Sequence, residues 1–577
     1  MGRVNAPHRA SGSSASRSSY HPDSVPSRPL LTGDPWTAFN TGWSTAEGYD
    51  DDGALRNSWK AFAISCHQQI RNLVQVYFEI VYPIFPLFHK QSFIERINNQ
   101  EHLQSQSLFA STMAVCSLVS GRARDGALYT NRWHREELSE PPSEAFYAAA
   151  KDSLPRDLAA AKGFNYMRAC AILAIASIQN GQIKNMQKYS GMYHTLTTME
   201  GFHDEKLWPK DITTIEIEER RRLFWSIYTL DIYSTIVWGG VIRYREAHSL
   251  VRYPSEVDDE FITHQGYGMP PVSPESSALS QGEVPVVSRQ PVSWMHGWNF
   301  TTDLYRILEH VVDGTRRKFS SANGTQEVWS LFSPASMSEP AVMERVLSMY
   351  AALPSQFRET PPTTGDISQD LFGFQSANIQ ATLQLLRMEI GVDRKCDVAG
   401  ELLSVFSKVP VEYLKAISSP LLHHLGGIGY ILGSVMEGSL SDASYQRVRT
   451  LLLEMASLLH RLEVGLHRAA GASERLRSQV DRIDGYMRTS RLLNISAIPP
   501  LSAAPNALNG TSNPNDVKQE PAIPRVAYIH SAPAPPVGAG PMANQMMQFQ
   551  LPPELLADWP WPLDNSHSEG FLPLAFE

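Results

Sequence analysis

The chain has 577 residues, 42% of them apolar, and its 59 Asp and Glu outnumber 50 Lys and Arg for a formal charge of −9. That length suits several domains, or one large domain with tails, and the acidic balance argues against a surface that wraps nucleic acid unaided. Cys66, Cys116, Cys170 and Cys396 lie far apart with no CxxC, so a cysteine zinc site has no local ligand pair and a reducing intracellular compartment is expected.

Residues 1–55 are rich in Ser, Pro, Gly and Asp and read as a disordered N-terminal tail. Residues 1–30 lack the apolar core of a signal peptide. Arg3, Arg9, Arg17 and Arg28 against Asp23 give them a slight positive bias, which could touch nucleic acid but is more simply solvated. From 58 to 262 apolar residues recur at three- and four-residue spacing, and alternating strand patterns are scarce, which predicts helices. Within this block, "VYFEIVYPIFPLFHKQSFIERI" at 76–97 begins as a helix, breaks at Pro83 and Pro86, and resumes. Ile84, Phe85, Leu87 and Phe88 keep the break apolar, so it reads as a buried corner, with His89 as a core or capping histidine at its exit. Ala110–Leu118 and Ala169–Ile178 are small-residue stretches suited to close helix packing.

"TTIEIEERRRLFWSIYTLDIYSTIVWGG" at 213–240 predicts one long helix. Glu216, Glu218 and Glu219 suit the dipole at its start, and Gly239 and Gly240 suit its end. Arg220, Arg221 and Arg222 point three ways around such a helix and read as a solvated, salt-bridged collar. At least one of them faces inward and needs a carboxylate partner; a phosphate or ligand contact is the alternative. Asp231 and the hydroxyls inside "LFWSIYTLDIYSTIVWGGVI" favour a buried core helix over a membrane span.

Residues 263–293 read as a flexible Pro-, Ser- and Gly-rich loop, 294–493 as a second helical block, and 494–548 as a disordered linker. "VKQEP" fits a sumoylation acceptor at Lys518, with Val517 and Glu520 as the residues read around it. In 549–577, Glu554, Asp558, Asp564, Glu569 and Glu577 alternate with Leu555, Leu556, Trp559, Trp561, Phe571, Leu572 and Phe576. Such an acidic–hydrophobic mixture is typical of activation segments that fold into a coactivator groove; a tail packed back on the domain is the alternative.

HExxH, GxSxG and P-loop motifs are absent. The glycines of "HHLGGIGY" at 423–430 read as a helix–helix turn, and the pairs Asp51/Asp52 and Asp258/Asp259 as loop charges. No catalytic, cofactor-binding or metal-binding residue is singled out, and an enzyme is not expected.

The proline-broken corner resembles the opening of the middle homology region of fungal zinc-cluster (Zn2Cys6-type) transcription factors. "EIEERRRLFWSIYTLDIYSTIVWGG" is similar to that region's arginine-rich aromatic helix, and "RYPSEVDDEFI" at 252–262 to the acidic loop after it. "HGWNFTTDLYRILEHVVD" and "FGFQSANIQATLQLLRMEI" are similar to downstream helices. The resemblance covers about residues 70–490 and rests on the order and spacing of these motifs. It implies an all-α regulatory domain, with Pro83, Phe85, Pro86, Phe88, His89, Arg220, Arg221, Arg222, Trp225 and Asp231 as structural motif residues. It further implies a nuclear regulator of metabolic genes; a secondary-metabolite cluster is the favoured case. The family's six-cysteine zinc cluster has no counterpart among these residues, so zinc would enter only with a cluster outside this sequence. DNA is then reached through a partner transcription factor or such a cluster. A coactivator on the C-terminal segment and a homo- or heterodimer partner complete the expected contacts. A regulatory scaffold that binds another transcription factor or a small effector, without touching DNA, is the competing expectation.

Overall fold

The computed structural model describes residues 65–268, 292–321, 338–390, 395–417, 440–463 and 471–496. It also describes Trp59, Phe62, Leu421, Leu425, Gly429, Leu432, Met436, Gln548, Phe549 and Leu551. All belong to one compact unit, Ser58–Glu577. The fold is all-α. Helices α1 (His67–Ile80), α2 (Lys90–Asn98), α3 (Gln106–Arg124), α4 (Arg135–Leu138), α5 (Ser143–Asp152), α6 (Phe164–Gln179), α7 (Ile183–Met199) and α8 (Thr214–Trp238) come first. They are followed by α9 (Met295–Ser321), α10 (Glu339–Ala351), α11 (Ile367–Ile390), α12 (Lys395–Lys408), α13 (Val411–Ile417), α14 (Asp442–Glu463) and α15 (Ala472–Ser496). The strands described are two-residue pieces, Leu440–Ser441 and Gln548–Phe549, paired antiparallel.

Two apolar clusters hold the helices together. The first runs from Trp59 to Leu386 and the second from Phe374 to Leu551. In the first, α3 packs against α5 and α6, and α6 against α7. Small side chains allow this: Ala110, Ser111, Thr112, Ala114, Ser117 and Gly121 bring α3 close to its neighbours, and all are buried. Helix α11 serves both clusters through two faces. Ile379, Leu383 and Leu386, at i, i+4 and i+7, enter the first; Phe374, Ala377 and Ala381, at i, i+3 and i+7, enter the second. Leu421, Leu425, Leu432 and Met436 are helical and each 0% exposed in the second cluster. Within 423–430, Leu425 and Gly429 are described, and both are helical where a turn is expected.

Helix α8 is buried on nearly every side, as a central helix must be if it is apolar all round. Thr213 caps its start by accepting from the Glu216 backbone N–H, and Gly239, at φ +73°, ends it. No helix of the described residues is long and apolar enough to cross a membrane. Asp231 is 4% exposed and accepts from the Arg243 guanidinium and the Arg243 and Tyr244 backbone N–H groups. Asn299, which opens an N-x-T sequon with Thr301, is buried within α9.

His102 is buried in the 3-10 turn Glu101–Leu103, stacked 6.0 Å from the His67 ring. Burial, reinforced by His67, pushes its pKa down to about 4. The unfolded chain therefore takes up a proton near pH 6.5 that the native state refuses until about pH 4. Native stability is expected to fall as the pH drops through that window. In His102→Phe, urea midpoints measured across the window should fall less steeply; an unchanged slope would assign the acid sensitivity elsewhere.

Candidate functional site

The proline corner, the arginines of α8 and the 252–262 segment meet in one buried cluster. Pro83 and Pro86 deprive the corner of helical hydrogen bonds, so its exposed carbonyls need partners from elsewhere. The Arg122 guanidinium donates to the Ile80 carbonyl at 3.0 Å. Gln375 Nε2 donates to Pro83 O at 2.5 Å, and Trp298 Nε1 to Ile84 O at 3.0 Å. Within the corner, Tyr77 Oη donates to Phe85 O at 2.6 Å and accepts from the Leu87 N–H at 2.9 Å. Phe85 and Phe88 are buried, and the Phe88 ring stacks on Phe93 with centroids 3.9 Å apart. Helices α3, α9 and α11 thus all grip the break between α1 and α2.

His89 ends the corner as the N-cap of α2. Its ring accepts from the Ser92 N–H, its Nε2 lies 2.8 Å from the Asp259 carbonyl oxygen, and its backbone N–H donates to Glu219 at 2.7 Å. Asp259 is the centre of the cluster. Its carboxylate accepts from Arg222 Nη1 at 2.6 Å, Tyr82 Oη at 2.7 Å and the Lys90 N–H at 2.7 Å. Burial alone would raise the Asp259 pKa. Although burial is the largest single influence, the Arg222 charge, His89, the Tyr82 hydroxyl and the Lys90 N–H together outweigh it and hold the carboxyl below the usual range.

All three arginines of α8 are buried, which corrects the solvated part of the collar reading. Arg220 pairs with Glu216 one turn earlier and lies over the Phe164 ring, 5.0 Å from its centroid. Arg221 bridges Glu205, at 2.8 and 2.9 Å, and Glu218, at 2.8 Å. Arg222, 0% exposed, reaches Asp259. The helix is sunk in the core, so each arginine is matched by a carboxylate instead of by water. The pair Asp258/Asp259 is likewise not a pair of loop charges: both carboxylates are hydrogen-bonded, Asp258 to Ser293 Oγ at 2.5 Å and Asp259 to the groups above. Trp225 Nε1 donates to Arg252 O at 2.9 Å and so ties the same segment to α8.

Further carboxylates complete the set. Glu218 accepts from Arg221, the Ser255 N–H and hydroxyl, and Tyr267 Oη. Glu219 joins His89 to Arg168 at 2.6 Å, and the Arg168 guanidinium lies 4.1 Å from the Phe88 centroid. Glu205, Arg168 and the carbonyl partners Gln375 and Trp298 carry no local sequence signal; Asp259 carried one, in the acidic 252–262 stretch. Asp231 is on the same helix but holds Arg243 rather than an α8 arginine. Among the described residues, no group of three His, Cys, Asp or Glu is placed to hold a metal ion. The arrangement locks the corner, α8 and the 252–262 segment together. Lys518, Leu555, Leu556, Trp559, Trp561, Phe571, Leu572 and Phe576 lie outside the described residues, as do the N-terminal tail, Asp51/Asp52 and most of the 263–293 and 494–548 segments.

The family described as fungal specific transcription factor domain matches residues 74–350, a span that contains the whole clasp apart from Gln375. Transcriptional activator protein acu-15 of Neurospora crassa is 27% identical over 203 residues, 34% of this chain and 20% of that protein. Activator of stress genes 1 of Saccharomyces cerevisiae is 25% identical over 231 residues, 39% of this chain and 22% of its own length. Pyrimidine pathway regulatory protein 1 of Saccharomyces cerevisiae is 35% identical over 92 residues, 16% of this chain and 10% of that protein. The chain thus spans about a fifth or less of the length of these relatives. No solved structure matches. Residues 74–350, from the corner through the acidic segment and beyond it, thus carry the fungal specific transcription factor domain, and the relatives matched are named as fungal transcription regulators.

Proposed function

We propose that this protein is a nuclear regulator of a set of fungal metabolic genes, with the helical body as its regulatory domain and residues 549–577 as its activation segment. The observation that carries the reading is the family match across 74–350, whose buried polar residues serve to fix the body's shape. The names of two relatives, an activator of stress genes and a pyrimidine pathway regulator, support control of metabolism and its response to conditions. A secondary-metabolite cluster is the first gene set to examine. With a formal charge of −9, the chain reaches promoters through a partner transcription factor or through a zinc cluster not among these residues. Lys518 is the sumoylation site on this reading.

Chromatin occupancy of the tagged full-length protein tests the reading, and sharp promoter peaks are expected. Absence of peaks, with the protein in the cytoplasm, would favour a scaffold that holds another regulator away from DNA. The segment is tested separately by fusing residues 549–577 to a foreign DNA-binding domain. The fusion should activate a reporter, and Trp559→Ala with Trp561→Ala should reduce the signal by about tenfold, the loss of roughly 1.4 kcal/mol of coactivator binding. A silent fusion would remove the activation segment from the proposal.

A further inference from the structure

The root of the C-terminal segment is held by the second core. Gln548 and Phe549 pair antiparallel with Leu440 and Ser441, in the register Leu440↔Phe549 and Ser441↔Gln548. Two residues on, Leu551 is 3% exposed and joins the second apolar cluster, where Leu440 is 1% exposed. The main-chain pairing and the buried leucine are independent observations. Together they match a recurring mode of peptide recognition, in which an extended segment adds a strand to an edge and inserts an apolar side chain beside it. Residues 497–547 separate this contact from the end of α15. Joining two points so far apart in the chain carries an entropic penalty that the contact must exceed.

We propose that Leu440–Ser441 and the adjoining second core form a docking site for an extended apolar peptide, occupied by the chain's own residues 548–551. The segment beyond Leu551 then starts from a fixed point beside the first turn of α14. A tethered occupant sees the site at a high effective concentration, so a free peptide of the same sequence is excluded while the resident one is seated. The site rests on these contacts and not on the segment's activating role: a silent reporter fusion would leave it standing.

Two experiments on the full chain decide it. Residues paired across antiparallel strands have Cα atoms about 4.5–5.5 Å apart, within the range of a disulfide. In Ser441→Cys/Gln548→Cys, mild oxidation should give an intramolecular cross-link, identified by peptide mapping against the native cysteines. No cross-link, or one between two copies, would overturn the seat. In the second experiment, a labelled peptide of residues 545–555 is titrated into the wild-type chain and into Leu551→Asp, whose resident segment is expelled. Binding at least about tenfold tighter to the variant is expected, lost when the peptide carries the same Leu→Asp change. Equal binding to both chains would overturn the docking site. If Leu551→Asp fails to fold, the cross-link remains the deciding result.

Discussion

Asp259→Ala is expected to lower the stability of the native chain by about 3–5 kcal/mol, the range for removing one partner of a buried ion pair. The reason is what the substitution leaves behind. Arg222 is 0% exposed, and its Nε and Nη2 have no hydrogen-bond partner even with Asp259 in place. Without the carboxylate, its charge is buried and uncompensated, and Tyr82 Oη and the Lys90 N–H lose their acceptor as well. The pair itself is a weaker source of stability than this loss suggests, because both charges were desolvated to make it. Arg222→Met/Asp259→Ala should therefore recover much of the deficit, with an interaction energy of about 0.5–3 kcal/mol in the double-mutant cycle with Arg222→Met and Asp259→Ala. Urea midpoints of the four chains give the answer. A loss below about 1 kcal/mol in the single variant would mean that water reaches Arg222 and that the cluster is not a clasp. Acid should act in the same direction. The Asp259 pKa is depressed in the folded state, so its contribution is complete above the unfolded carboxyl value of about 3.9 and is lost as the pH falls through the lower folded value.

The cluster also shows where sequence reasoning succeeds and stops. The corner was legible because proline chemistry is local: Pro83 and Pro86 stop a helix whatever surrounds them, and their apolar neighbours predict burial. The limits of α8 were legible because Thr213, Glu216 and Gly239 act within one turn of the helix ends. That an inward arginine needs a carboxylate was also legible; which carboxylate was not. Asp259 is 37 positions from Arg222, and the groups that satisfy Ile84 O and Pro83 O lie 214 and 292 positions away. Such pairings depend on how the helices pack, and no periodicity encodes them. The reading of Asp258/Asp259 as loop charges went astray for this reason: a short segment between helices is normally wet, and here α8 and the corner close over it. The place where the two apolar clusters meet was equally hidden. It runs along α11, one continuous helix with an apolar face on either side, and composition does not change there.

That meeting place gives the second large effect. Gly373 of α11 lies flat against Tyr413 of α13, and a Cβ at 373 would overlap the Tyr413 hydroxyl and ring. Tyr413 is 0% exposed and packs edge-on against Phe374, with centroids 4.7 Å apart, so it has no free space to move into. Two opposing terms decide the sign of Gly373→Ala. Helix propensity favours alanine by about 1 kcal/mol. Overpacking a filled core costs about 1–3 kcal/mol and occasionally more. The overlap is with the hydroxyl and the adjoining ring edge of a buried, rigid aromatic side chain, so the steric term wins and a net loss is expected. Gly373→Val should lose more, because it adds branching to the same contact and gives up the propensity gain. Removing the hydroxyl tests the cause directly: Gly373→Ala in a Tyr413→Phe background should regain stability relative to Gly373→Ala alone. The urea midpoint measures each step, and hydrogen exchange in α13 and α14 should report the loss before exchange in α3 and α6 does. Stabilisation by Gly373→Ala would mean that α11 and α13 can slide apart, and that the two apolar clusters are less tightly coupled than one shared helix implies.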